Sequence, residues 1–242
     1  MNVNEFSNEF EVLLNSYIVS SPFGLTNNPV SIEISEYEKS VLLTKAQEEL
    51  VLELYNGKNP FRESLESTEE VRKYLEDLIE TSILDTQETT GKGIDSRSVF
   101  YRLPEEVWFI TYETATITGE SLCGNTVQAL VVPVTQDEFY HTIKNPFRKP
   151  NRNKVLRLDN ADNIVELISE YPITKYLVRY LKKPTPIILT NLPDDLTIHG
   201  INTISECALH SGIHYQILDR AVRMALYNKG ILGNSNKEQP SN

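Results

Sequence analysis

The sequence predicts an α+β protein: an N-terminal arm and helix pair, a central mostly antiparallel β-sheet, and a C-terminal helix. Three observations predict it. Apolar residues recur every three to four positions over 36–56 and again after Ser67. Beyond residue 97 the pattern changes to short runs of β-branched and aromatic residues separated by turn formers. From about Ser205 to Asn228 the helical period returns. A chain of 242 residues, 40% hydrophobic and 24% charged, can bury a sizeable core and is too apolar for wholesale disorder. These changes place an arm at 1–35, a helical pair at 36–85, an α+β domain at 97–230 and a disordered tail at 231–242.

The arm mixes a short amphipathic stretch (Phe6, Phe10, Leu13, Leu14, Tyr17) with a lead broken by Pro22, Gly24 and Pro29. Its apolar residues are too few to fold alone and require another surface, in its own domain or a neighbouring subunit. The helix over 36–56 carries Leu43, Ala46, Leu50 and Leu54 on one face and stops at Asn56-Gly57. A loop follows over 57–66. Ser67 with Glu70 then forms a capping box for a second helix, with Val71, Leu75, Leu78, Ile79 and Ser82 on its inner face. The polar, glycine-bearing stretch 86–95 is a linker.

Strands are predicted at 99–102, 107–118 and 126–134, the last two joined as an antiparallel hairpin across the turn-forming 119–125. Thr135 caps a short helix, with Asp137 and Glu138 where negative charge suits the helix dipole. Strands follow at 154–158, 164–168 and 176–181. Pro184 and Pro186 supply no ladder donors, so the apolar run at 187–189 is an edge or an extended crossing. The final helix has Ile213, Ile217, Ala221, Met224 and Ala225 on one face and stops at Gly230.

The formal net charge of −11 is polarised. Residues 1–90 hold 18 Asp/Glu against 6 Lys/Arg, leaving 16 acidic and 17 basic residues for the remainder. A polarised chain can present complementary faces to its neighbours. The N-terminus lacks the basic region and cleavage site of a signal peptide, and the longest apolar runs are too short for a bilayer. Two distant cysteines, Cys123 and Cys207, fit folding in a reducing cytosol. No membrane association is expected.

No catalytic, cofactor or metal constellation is complete. His210 and His214 have the i, i+4 spacing of a zinc helix, but Ser211-Gly212-Ile213 between them lacks the glutamate of HExxH. No third-ligand cluster accompanies them, although Glu206 lies four residues earlier. Gly91-Lys92-Gly93 lacks both the earlier glycine and the Ser/Thr of a phosphate loop. Cys123 has no histidine near it in sequence, and the pairs Glu105-Glu106 and Asp194-Asp195 read as surface dipeptides.

The remaining candidate is basic. Six of the chain's 23 Lys/Arg fall between Lys144 and Arg157. Three occupants fit this segment: acidic protein surface, solvent, or a phosphate backbone. Contact with the acidic helices of an adjacent subunit accounts for both halves of the charge pattern. The candidate subunit interface is therefore Lys144, Phe147, Arg148, Lys149, Arg152 and Arg157 on one side, with Phe10, Leu13 and Tyr17 of the arm. The alternative is an intracellular binding module that uses 144–157 to hold DNA or a regulatory partner.

The stretch VTQDEFYHTIKNPFRKPNRNKVLRLD (134–159), with VRYLKKPTPIILT (178–190) and LHSGIHYQILDRAVRMAL (209–226), resembles the head–tail connector, or neck ring, proteins of crAss-like podoviruses. LLTKAQEELVLELYNGKNPF (42–61) and STEEVRKYL (67–75) extend the likeness over most of residues 1–230. The sequence departs from it at Glu206-Cys207-Ala208, where such proteins often carry an acidic-Leu-Pro run. The resemblance implies a non-enzymatic virion protein of the neck or tail, assembled into a ring of identical subunits beneath the portal. It implies dodecameric symmetry to match the portal, further neck and tail rings as neighbours, and DNA crossing the lumen as a further candidate contact.

Overall fold

The computed structural model describes residues 1–20, 33–57, 68–85, 87, 93–119 and 125–230. The broken lead of the arm, the loop before Ser67, Ser67 itself, most of the linker, the hairpin tip with Cys123 and the C-terminal tail lie outside the described residues. The chain divides into two compact units, Met1–Leu78 with Pro184–Asn242, and Ile79–Lys183. These boundaries differ from those predicted. The end of the expected helical pair joins the sheet, and residues beyond 184 return to the helices. Counted over the sequence, the first unit carries a formal charge of −10 and the second −1.

In the first unit, α1 (Val3–Ser20) buries Phe6, Phe10, Leu14 and Ile18, a repeat of four that makes one continuous stripe. Each such side chain contributes about 1.5–3 kcal/mol on burial. The stripe packs against α2 (Glu36–Asn56) and α5 (His214–Asn228), so the apolar residues of the arm find their surface within their own unit. α2 opens with a reciprocal box between Ser35 and Glu38 and closes at Gly57, whose φ of 66° is left-handed. Its predicted face is buried throughout at Leu43, Ala46, Leu50 and Leu54.

The next helix is shorter than predicted. α3 (Glu69–Leu75) is capped by the Thr68 hydroxyl, which accepts from the Val71 N–H at 3.4 Å, and passes through a 3₁₀ turn (Glu76–Leu78) into a strand. Ile79 and Ser82 belong to that strand. The β-branched run Ile79, Thr81 and Ile83 favours a pleated ladder over another helical turn.

The final helix also starts later. Residues 205–210 are non-helical, a 3₁₀ turn covers Ser211–Ile213, and α5 begins at His214. His210 caps that turn, its Nδ1 accepting from the Gly212 N–H at 3.1 Å. His210 and His214 therefore do not share a helix face, and the geometry expected of a zinc helix is absent.

The second unit is a seven-stranded sheet in the order β1-β7-β3-β4-β5-β6-β2. Its strands are β1 (Ile79–Leu84), β2 (Ser98–Arg102), β3 (Val107–Ile117), β4 (Val127–Pro133), β5 (Lys154–Asp159), β6 (Ile164–Ile168) and β7 (Ile173–Lys182). The β3–β4 hairpin forms in the register Thr114↔Leu130 to Ile117↔Val127. All pairings are antiparallel except β4–β5, which run parallel because α4 (Gln136–Lys144) carries the chain across between them. The sheet curls. The rings of Tyr101 on β2 and Tyr176 on β7 lie 5.5 Å apart although four strands separate them in the order.

Residues alternating inward fill the curl, among them Leu103, Ile117, Val131, Val155, Leu167 and Val178. α4 covers the outer face of β5 and β6 with Phe139 against Leu156, Leu158 and Ile168. β5 is consequently buried on both faces. Among the described residues no helix is long and apolar enough to cross a membrane.

Candidate assembly interface

The basic segment is a fixed turn and not a loose loop. After α4 the Asn145 side chain accepts from the Phe147 N–H at 2.9 Å, and its carbonyl accepts from the N–H groups of Arg148 and Lys149. The Lys154 ammonium donates to the carbonyls of Phe147 at 3.0 Å and Arg148 at 3.4 Å. Asn151 and Lys154 exchange backbone hydrogen bonds that start β5. The result holds Phe147 out from the surface with its side chain 87% exposed.

The cations around it divide by environment. Lys144, Arg148, Lys149 and Arg152 are exposed. Lys144 lies over the Tyr140 ring at 3.9 Å, and Lys149 pairs with Glu170 at 3.4 Å. Arg148 and Arg152 pair with no carboxylate among the described residues.

Arg157 is a correction. It faces the interior of the curl from β5, where its guanidinium donates to Glu113 at 2.5 Å and lies beside Asp159. The other Glu113 oxygen accepts from the Tyr176 hydroxyl at 2.5 Å. Burial, with the Glu113 charge beside it, pushes the Tyr176 hydroxyl well above its usual range, so it remains a donor. Alternation along β5 places Arg157 on the same face as Val155, and that face is the core. Its side chain is buried and paired within its own unit.

The arm residues also part company. Phe10 is fully buried in the helical unit and is not available to another subunit. Leu13 is half-buried, and Tyr17 is half-buried with its hydroxyl donating to Asp219 at 2.6 Å.

The helical unit carries a second surface feature, a groove of about 640 Å³ between α1 and the start of α2. Leu14 and Ile34 supply its apolar lining, and Glu11, Glu33 and Glu38 its carboxylates. Lys39 closes the base, with 1% of its side chain exposed; its ammonium donates to Glu11 at 2.6 Å, Glu36 at 2.7 Å and Ser7 at 3.0 Å. Burial opposes that charge, but the Glu11 and Glu36 hydrogen bonds hold the ammonium above its usual pKa. Glu11 is taken up by Lys39 and Glu38 faces Lys229 at 3.6 Å, which leaves Glu33 as the lining carboxylate with no ion pair among the described residues.

Sequence reasoning missed the groove, Tyr140 and the brace at Lys154. A groove between two helices is a tertiary object, with no sequence signal. The tandem of Tyr140 and Lys144 at i, i+4 was legible on a helix that had been predicted.

The described surface thus carries an exposed aromatic residue among cations and, elsewhere on the chain, a groove lined by carboxylates. Among the described residues no group of three metal-ligating side chains forms. The model of the phage tail ring protein 3/4 family matches residues 1–237. Ring protein 3 of Bacteroides phage crAss001 is 46% identical over 240 residues, covering 98% of this chain and all of the relative. Ring protein 4/5 of the same phage is 36% identical over 236 residues, covering 93% and 92%. The chain belongs to the phage tail ring protein 3/4 family, and is a structural ring protein of the crAss-like phage virion.

Proposed function

We propose that this chain forms a closed ring in the phage neck that connects the portal to the tail, without enzymatic activity. The ring is dodecameric, matching the portal, with other ring proteins stacked on it and DNA passing through its lumen. The subunit folds in the host cytoplasm and then assembles. The contact between subunits is heterologous: the basic turn of one copy meets the acidic helical unit of the next, and head-to-tail contacts of this kind close into rings.

The observation that supports this reading is the charge division between the folded units, −10 against −1, with Arg148 and Arg152 exposed on the near-neutral unit. Reversing Arg148 and Arg152 to Glu tests it. A desolvated pair turned repulsive costs about 2–5 kcal/mol at each boundary, and an exposed one only about 0–1 kcal/mol. Ring yield, counted by electron microscopy with and without portal, should fall sharply. Retained rings with lost, salt-sensitive DNA binding would replace the contact by a phosphate backbone on the same turn.

A further inference from the structure

We infer that Phe147 of one copy seats in the acidic groove between α1 and α2 of the next copy, flanked by Arg148 and Arg152. This contact presupposes the ring proposed above and names the two surfaces that close it. Knob and groove carry charges of opposite sign. Phe147 stands 87% exposed on a turn pinned by the Asn145 side chain and the Lys154 ammonium, so little order is lost on docking. The groove, at about 640 Å³, is roomy enough for a phenyl ring with two flanking side chains, and the half-buried Ile34 offers it an apolar contact.

Charge fixes the occupant as a second copy of this chain. Among the described residues, Arg148 and Arg152 lack carboxylate partners within their own subunit. In the groove Glu11 and Glu36 share the Lys39 ammonium and Glu38 faces Lys229 at 3.6 Å, so the lining carboxylate without an ion pair among the described residues is Glu33. Aromatic residues and arginine are enriched in protein interfaces relative to the rest of the surface. Knob and groove are different surfaces of one chain, so the contact is heterologous and propagates around a ring.

A photo-reactive benzophenone side chain in place of Phe147, irradiated in assembled rings and mapped by peptide mass spectrometry, tests the seat directly. The adducts expected fall on α1 and on residues 33–39 of another copy. Adducts on any other surface, or a groove found occupied by the chain's own residues 21–32, overturn the contact while leaving the ring intact. Phe147→Ala should weaken assembly at least roughly tenfold, and unchanged assembly overturns the inference.

Arg148→Glu should lower ring yield, and adding Glu33→Arg to the same chain should restore it, an outcome that misfolding would not give. Failure of that rescue overturns the charge pairing. A parent protein that stays monomeric, alone and with portal, defeats the ring reading and this contact together. Rings with adducts elsewhere defeat only the contact.

Discussion

The hydroxyl of Thr44 closes both backbone groups of Ile187, accepting from its N–H at 3.1 Å and donating to its C=O at 3.3 Å. One turn back, Ser40 accepts from the Leu189 N–H at 3.0 Å; one turn on, Gln47 donates to the Thr185 carbonyl at 2.8 Å. Seven helical residues rise about 10.5 Å and four extended residues span about 13 Å, so the two spacings run nearly in step. A polar stripe on a helix thus does the work of a neighbouring strand, for a segment that Pro184 and Pro186 bar from a central ladder.

Thr44→Val keeps the shape and removes the hydroxyl, leaving the buried Ile187 N–H and C=O unpaired. We expect a loss of about 1–3 kcal/mol. Urea denaturation of the full chain should show a lower midpoint with an unchanged slope.

The Glu113–Arg157 pair predicts a double-mutant cycle. Arg157→Met leaves the Glu113 carboxylate buried beside Tyr176 with its cation gone, and should cost about 3–5 kcal/mol. Glu113→Gln should be similarly harmful. Changing both together should cost clearly less than the sum, since neither charge is then left alone.

Cys207 lies against α2 with its thiol donating to the Gln47 side-chain oxygen at 3.2 Å, and burial pushes its pKa up to about 11. An unfolded cysteine titrates near 8.5. At pH 8, on a Cys123→Ser background, a thiol reagent should label the folded protein about a hundredfold or more slower than the unfolded chain. Stability should also decline as pH rises from about 8.5 towards 11, where only the unfolded chain gives up the proton.

His214 titrates with the opposite sign. It is buried at the start of α5, 5.3 Å from the Phe6 ring, with Nε2 at 2.8 Å from the Leu209 carbonyl. Burial holds its pKa below the usual 6.5, outweighing that hydrogen bond. Below about pH 6.5 the unfolded chain gains a proton that the folded one does not, so stability falls as pH drops towards the lowered folded value. His214→Gln should flatten this acid limb in thermal melts taken from pH 7.5 to 5.

Sequence alone determined the elements whose evidence is local. The stripe of α2 with its stop at Gly57, the β3–β4 hairpin, the strands β5 and β6 and the cluster of cations over 144–157 all follow from period, turn chemistry and composition. The likeness in 134–159 and 209–226 located the family. Tertiary structure decided what depends on the opposite surface. A cation on a strand faces water or core according to which side of the sheet is covered, so Arg157 is internal while Arg152, five residues earlier, is exposed. Phe10 is spaced for a helix stripe in either reading, and only the position of α5 made that stripe internal. His210 and His214 kept helical spacing in the sequence, yet the 3₁₀ turn through Gly212 separated them. Local periodicity specifies which residues share a face; what that face meets is set by chain segments far away in sequence, as Ser40, Thr44 and Gln47 meet residues 185–189 across some 140 positions.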